Sequence, residues 1–149
     1  MLRIWVPSAG APVPVTSTLG AMESSVDILG REFDWFAQDK DGATAIFATA
    51  GFGPVPPAVL ACLELHDSIS EFIPVTGWGS SKVWESYASA GLYAYDWDDS
   101  KGCYLRVAEP AGALVAHADS PLHGACLPVL ATIFSSAIEV SPADLQDRT

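Results

Sequence analysis

The stretch Glu32-Phe-Asp-Trp-Phe-Ala-Gln-Asp-Lys-Asp-Gly-Ala-Thr-Ala-Ile-Phe-Ala-Thr-Ala-Gly-Phe-Gly-Pro-Val-Pro-Pro57 decides how the chain folds. Phe33 to Gln38 alternates: Phe33, Trp35 and Ala37 point one way, Asp34, Phe36 and Gln38 the other, which is the period of a strand. Asp39-Lys40-Asp41-Gly42 then supplies a hairpin turn, because Asp-Gly tolerates the positive φ such turns need. Ala43 to Ala50 is small and apolar on both faces, so it reads as a central strand covered on both sides. Gly51-Phe52-Gly53-Pro54 leaves the sheet, and Pro56 and Pro57 suit the start of a helix, where a missing N–H costs nothing.

Outward from this stretch, Ala58, Cys62, Leu65, Ile69 and Phe72 follow at helical spacing, opposite Glu64, Asp67, Ser68 and Glu71. The pattern predicts one main amphipathic helix of about four turns, ended near Pro74. Gly77-Trp78-Gly79 is a loop, and Ser80 or Ser81 can cap a second short helix carrying Trp84 and Tyr87 and stopped by Gly91. A second hairpin spans Leu92 to Val107. Tyr93, Tyr95 and Trp97 alternate along its first strand, Asp98-Asp99-Ser100-Lys101-Gly102 turns, and Cys103, Leu105 and Val107 return on one face. Residues 2–6, Leu114–Ala118 and Thr132–Val140 are further strand candidates. Residues 21–30 suggest a short helix, and the polar tail 141–149 is expected to fray. The expectation is a single α+β domain over 1–149, with a largely antiparallel sheet and one main amphipathic helix packed on one face.

Composition narrows the function classes. The chain has 149 residues, half of them apolar, so it can build a sizeable core. Its 18 Asp and Glu against 7 Lys and Arg give a net charge of -11. The isoelectric point is about 4.3 and the mean hydropathy +0.27. Such a field repels nucleic acid and anionic membrane surfaces and attracts a basic protein. Three widely spaced cysteines, Cys62, Cys103 and Cys126, do not form a disulfide framework. With no signal-peptide core after Arg3, a cytoplasmic location is expected.

Candidate chemistry is sparse. Gly51-Phe52-Gly53-Pro54 before a helix has the outline of a phosphate loop, but Pro54, Pro56 and Pro57 lack the N–H groups phosphate needs and no lysine follows. Cys62 and His66, four apart, with His123 and Cys126, three apart, make a legitimate zinc donor set, which a small zinc-dependent hydrolase would use. Against this, Cys62 falls on the apolar stripe, where a free cysteine acts as a small hydrophobe. Asp96, Asp98, Asp99 and Ser100 open like a calcium loop, but the glycine comes one place late and Val107 stands where the last ligand belongs. No Gly-x-Ser-x-Gly occurs, and the carboxylates show no acid–base division. No catalytic residue, metal or cofactor is assigned. Aromatic rings beside acidic turns suit a binding surface. Trp35 and Trp97 read as core rings, and Trp78, between two glycines, as a partly exposed one.

Phe33 to Gly42, continued through Ala45 to Pro56, resembles small bacterial immunity proteins. These are encoded beside polymorphic or contact-delivered toxins and neutralise them by tight binding. The resemblance covers about 25 residues plus size and acidity, and it implies a scaffold on which variable loops carry the contacts. The partner it implies is a basic cognate toxin, blocked at its active site. Asp34, Asp39, Asp41, Asp96, Asp98 and Asp99 are the expected acidic contacts, with Trp78 as an anchor. A secretion adaptor or chaperone is the other protein-binding alternative.

Overall fold

The structure, a computed structural model, describes residues 32–114 and 127–145. The expected strand at 2–6, helix at 21–30 and most of the candidate at 114–118 lie outside these residues, as do His123 and Cys126.

The first hairpin forms as its sequence requires, with β1 at Asp34–Asp39 and β2 at Thr44–Ala48. Trp35 stands opposite Phe47, and Ala37 opposite Ala45. The second hairpin pairs β3 (Tyr93–Asp98) with β4 (Cys103–Ala108), with an irregularity at Ala94 and Tyr95. Between the hairpins run α1 (Pro57–Leu60), α2 (Leu63–Phe72) and α3 (Lys82–Ser89). This long connection brings the chain back to the end of the sheet where β2 began, so β3 lies beside β2 and parallel to it. Two short strands close the edges. β5 (Val129–Leu130) runs parallel to β1, and β6 (Glu139–Val140) antiparallel to β4.

The α+β class therefore holds, but the sheet is mixed, in the order β5-β1-β2-β3-β4-β6. The expected largely antiparallel sheet is corrected at its centre. Each hairpin was visible locally, whereas the parallel joint between them depends on a crossover. The single four-turn helix is corrected too. It breaks at Ala61–Cys62, where Cys62 leaves helical geometry with φ -135 and ψ 43. The break turns the buried stripe. Val59, His66, Ile69, Ser70 and Ile73 face inward, while Ala58 and Cys62 are exposed. Val59 and Leu63 join the cluster on one face of the sheet, whereas Leu65 and Ile69 join the cluster on the other. A straight helix could not serve both faces.

One face of the sheet carries an aromatic stack. The Trp35 and Phe47 rings stack at 4.2 Å, and Phe47 and Tyr95 at 5.0 Å, across three neighbouring strands. Tyr104 meets Phe47 edge-on at 5.1 Å, the T-shaped geometry that aromatic quadrupoles favour. Its hydroxyl accepts the Trp35 indole N–H at 3.2 Å and donates to the Pro54 carbonyl at 2.8 Å. Phe134 covers the stack from the segment between β5 and β6. The strand expected over Thr132–Val140 thus forms only at its end, because Phe134 must dip into the core. The tail beginning at Ser141 does not fray at once: Pro142–Leu145 makes a 3-10 turn and Leu145 is buried in the same cluster.

The opposite face packs Phe36, Ile46 and Ala94 against Ile69, Ile73, Tyr87 and Leu92. β5 pairs with β1 only at Gln38 and Asp39, and α2 lies alongside the rest. There His66 replaces a neighbouring strand: its Nδ1 accepts the Phe36 backbone N–H at 3.0 Å. An unpaired strand edge invites association, and a helix with one buried acceptor closes this one.

Among the described residues, Thr44 Oγ1 is a buried side-chain oxygen without a hydrogen-bond partner. A buried hydroxyl left unsatisfied costs about 1–3 kcal/mol. Thr44→Val, which keeps the branched shape that a strand favours, should raise stability by about 1 kcal/mol in denaturant titration. A loss of stability would show that the hydroxyl is satisfied in solution.

Candidate functional site

The strand directions sort the expected contact residues to two ends of the sheet. Asp34 stands in register with Ala48, and Ala48 with Asp96, so both carboxylates share one row across three strands. The β3–β4 turn continues past that row with Asp98 and Asp99. Asp34, Asp96, Asp98 and Asp99 are thus brought to one end. Asp39 and Asp41 sit at the other, in the β1–β2 turn.

Asp39 is a correction to the expected contact surface. It is buried, and its two oxygens are spent on backbone: Oδ1 accepts the N–H of Asp41 at 3.0 Å and of Ala43 at 2.9 Å, and Oδ2 accepts the N–H of Phe134 at 3.0 Å. It ties the hairpin turn to the segment that covers the aromatic stack. Asp41 is exposed beside it. Trp78 is exposed at 54% in the α2–α3 loop, flanked by Gly77 and Gly79 at φ +77 and +84.

At the acidic end the carboxylates differ in environment. Asp34 is half-buried and accepts a hydrogen bond from the Tyr87 hydroxyl of α3 at 3.3 Å. Burial raises its pKa from 3.8 to about 6; Glu32 and Asp96 push the same way, and the Tyr87 hydrogen bond opposes them. Asp96 is raised as well, first by burial and then by Asp98 and Glu32. Asp98 is held below the usual range, because its Oδ1 accepts the Ser100 hydroxyl at 2.7 Å and the Lys101 N–H at 3.0 Å. The Trp97 indole donates to Asp99 Oδ1 at 3.2 Å. The calcium-like segment is thus a hairpin turn whose Asp98 carboxylate binds its own backbone.

The turn after β2 reaches the same end, where the sequence shows only glycines and prolines that leave the sheet. Its pivot is Thr49, which is buried. Its Oγ1 accepts the N–H of Phe33 and of Gly51, and its carbonyl accepts the N–H of Phe52 and of Gly53. Ala50 sits at φ +54, the one left-handed residue other than glycine among those described. For a residue with a Cβ that conformation costs about 1–2 kcal/mol. The turn lifts Phe52 to 62% exposure, the second most exposed large hydrophobic side chain after Ile138 among the described residues. Gly53 then passes so close to the core that a Cβ would lie 2.5 Å from the Tyr104 hydroxyl and 3.1 Å from Trp97 Cβ. The Phe52 turn and the acidic β3–β4 hairpin are therefore neighbours.

The zinc donor set fares differently at its two described members. Cys62 is exposed at the helix break, while His66 is buried with its Nδ1 committed to Phe36. Burial lowers the His66 pKa from 6.5 to about 4, so the ring is a neutral acceptor at neutral pH. No group of three or more His, Cys, Asp and Glu is placed to hold a metal ion among the described residues. Nor is any helix among them long and apolar enough to cross a membrane. No family model, curated protein or solved structure matches the chain.

Asp34 and His66 give opposed pH dependences. Asp34 holds its proton more tightly when folded, so its contribution is complete below pH 3.8 and lost as pH rises through about 6. His66 is the reverse: the unfolded chain takes up a proton that the folded one refuses, so stability falls as pH drops from 6.5 towards about 4. The slopes largely cancel in the window they share. Asp34→Asn keeps an acceptor for Tyr87 and removes one slope. It should stabilise the protein by about 2 kcal/mol at neutral pH, after discounting for partial exposure, and not at all below pH 4. Between pH 4 and 6 the variant should lose stability on acidification more steeply than the wild type, because Asp96 alone among the described carboxylates then opposes the His66 slope. Equal variant and wild-type stabilities at all pH values would refute the raised Asp34 pKa.

Proposed function

We propose that this chain is an immunity-type binding protein that neutralises a basic toxin domain by covering the surface the toxin needs. The observation that carries the reading is the end of the sheet that brings together the Asp34–Asp96 row, the Asp98–Asp99 turn and the turn that exposes Phe52. Carboxylates around an aromatic ring suit association with a positively charged protein: the field steers encounter and the ring supplies apolar contact. The net charge of -11 strengthens the steering. The described histidine is built into the fold, and the remaining perturbed groups are carboxylates, buried tyrosines and the buried Cys103 thiol. The resemblance of Phe33–Pro56 to immunity proteins makes a toxin domain the partner of choice, and cytoplasm the compartment in which the producer would need protection.

Tagged protein drawn through host lysate should retain one basic protein near one-to-one at about 0.05 M salt and release most of it near 0.5 M, where screening is strong. The variant Asp96→Asn/Asp98→Asn/Asp99→Asn, which keeps the turn acceptors, should slow association about tenfold or more. Retention of the same partner by the variant, with unchanged rates and salt dependence, would sink the assignment of this surface.

A further inference from the structure

We infer that α2 is an acid-released cover of the β1 edge: protonation of His66 breaks its bond to Phe36, and the helix lifts while the sheet stays folded. This is independent of the binding role proposed above. Two N–H groups of β1 that point away from β2 are capped differently. Gln38 donates to the Pro128 carbonyl at 2.9 Å, whereas Phe36 donates to His66 Nδ1 at 3.0 Å. A carbonyl accepts at any pH. An imidazole nitrogen accepts only while it carries no proton; once protonated, Nδ1 is itself a donor aimed at another donor. His66 is 1% exposed, so no water is at hand to separate the two, and a charge left there without a partner is costly. The helix is also docked lightly. Its buried residues are His66, Ile69 and Ser70, so Ile69 is its one fully buried apolar side chain, with Leu65 partly buried beside it. The aromatic cluster on the other face takes only the partly buried Leu63 from α2. Backbone at both ends already leaves helical geometry, at Cys62 with φ -135 and ψ 43 and at Ile73 with φ -78 and ψ 124. Segments with few buried apolar contacts open before the whole fold does.

The titratable groups around His66 do not set its protonation. They are Glu64, Asp67 and Glu71 on its own helix, Asp34 and Asp39 on β1, and Lys82, Glu85 and Tyr87 on α3; α1 and β2 carry none. Burial alone holds the ring neutral. Asp34 accepts from Tyr87 of α3, and Asp39 accepts from its own turn and from Phe134, so neither carboxylate leaves with α2. No metal-holding group of side chains includes His66 among the described residues. The sign follows from where the proton goes. The lifted helix takes up a proton near pH 6.5 that the docked one refuses until about 4, so opening is favoured as pH falls, by about fiftyfold between pH 7 and 4.5.

The test follows amide exchange of the full chain by NMR, each rate divided by its intrinsic value at that pH, for wild type and for His66→Asn. The asparagine carbonyl oxygen stands where Nδ1 does and takes up no proton in this range. In the wild type, protection of the Phe36 amide should fall about fiftyfold between pH 7 and 4.5, while that of Phe47 in the central strand falls less than about threefold. In His66→Asn the Phe36 protection should stay level. Parallel losses at Phe36 and Phe47 would mean that the whole fold opens, and would overturn the inference. A Phe36 protection that ignores pH, or that falls as far in His66→Asn, would overturn it too. If the variant does not fold, the two wild-type amides decide by themselves.

Discussion

The structure depends on burying β2 on both faces at once. Its Phe47 side lies in the stack with Trp35 and Tyr95, and its Ile46 side packs under Ile69 and Tyr87. A strand in that position needs a partner on each edge and a cover on each face. β1 and β3 provide the edges, and the helical connection covers one face. The segment around Phe134 covers the other, pinned by Asp39 and by the Tyr95 hydroxyl, which donates to the Ala137 carbonyl at 2.6 Å. Because β2 and β3 run parallel, the chain leaves β2 and completes β3 at the same end, and that end becomes the place where two different turns meet.

The meeting of the two turns turns sequence into surface. The turn after β2 carries an exposed ring and the β3–β4 turn carries fixed carboxylates; Tyr104, at the start of β4, ties them together by donating to the Pro54 carbonyl. The other end of the sheet is spent on structure, since Asp39 there satisfies three backbone N–H groups. Acidity alone would not separate the ends. What separates them is that Asp39 is buried on three backbone donors, whereas Asp96 stands close enough to raise the pKa of Asp34, and Asp98 that of Asp96.

Much of this was legible. Alternation in Phe33–Gln38 and in Tyr93–Trp97, with Asp-Gly and Lys-Gly turns, gives both hairpins within a residue or two. The run Ala43–Ala50, apolar on both sides, announces the central strand. The parallel joint was hidden because nothing local records which end of the sheet a long connection returns to. The helix break was hidden because Cys62 fits the helical period, and only the need of Val59 and Ile69 to reach opposite faces interrupts it. His66 looked like a metal ligand because spacing cannot show that a strand edge lies beside it. Asp39 looked like a contact because a turn aspartate is usually solvated, and its link to Phe134 spans most of the chain. Phe52 was passed over between glycines that read as a simple exit. The signal for it is a large ring in a turn where a polar residue would do.

The central claim is that recognition happens at the end of the sheet where the β2 exit turn and the β3–β4 hairpin meet. Amide hydrogen exchange, compared between the free protein and its complex with the captured basic protein, tests this most directly. The account predicts slowed exchange confined to residues 50–53 and 98–102, with 39–43 unchanged. Slowing at 39–43 or in the Trp78 loop, with the Phe52 turn unaffected, would contradict it.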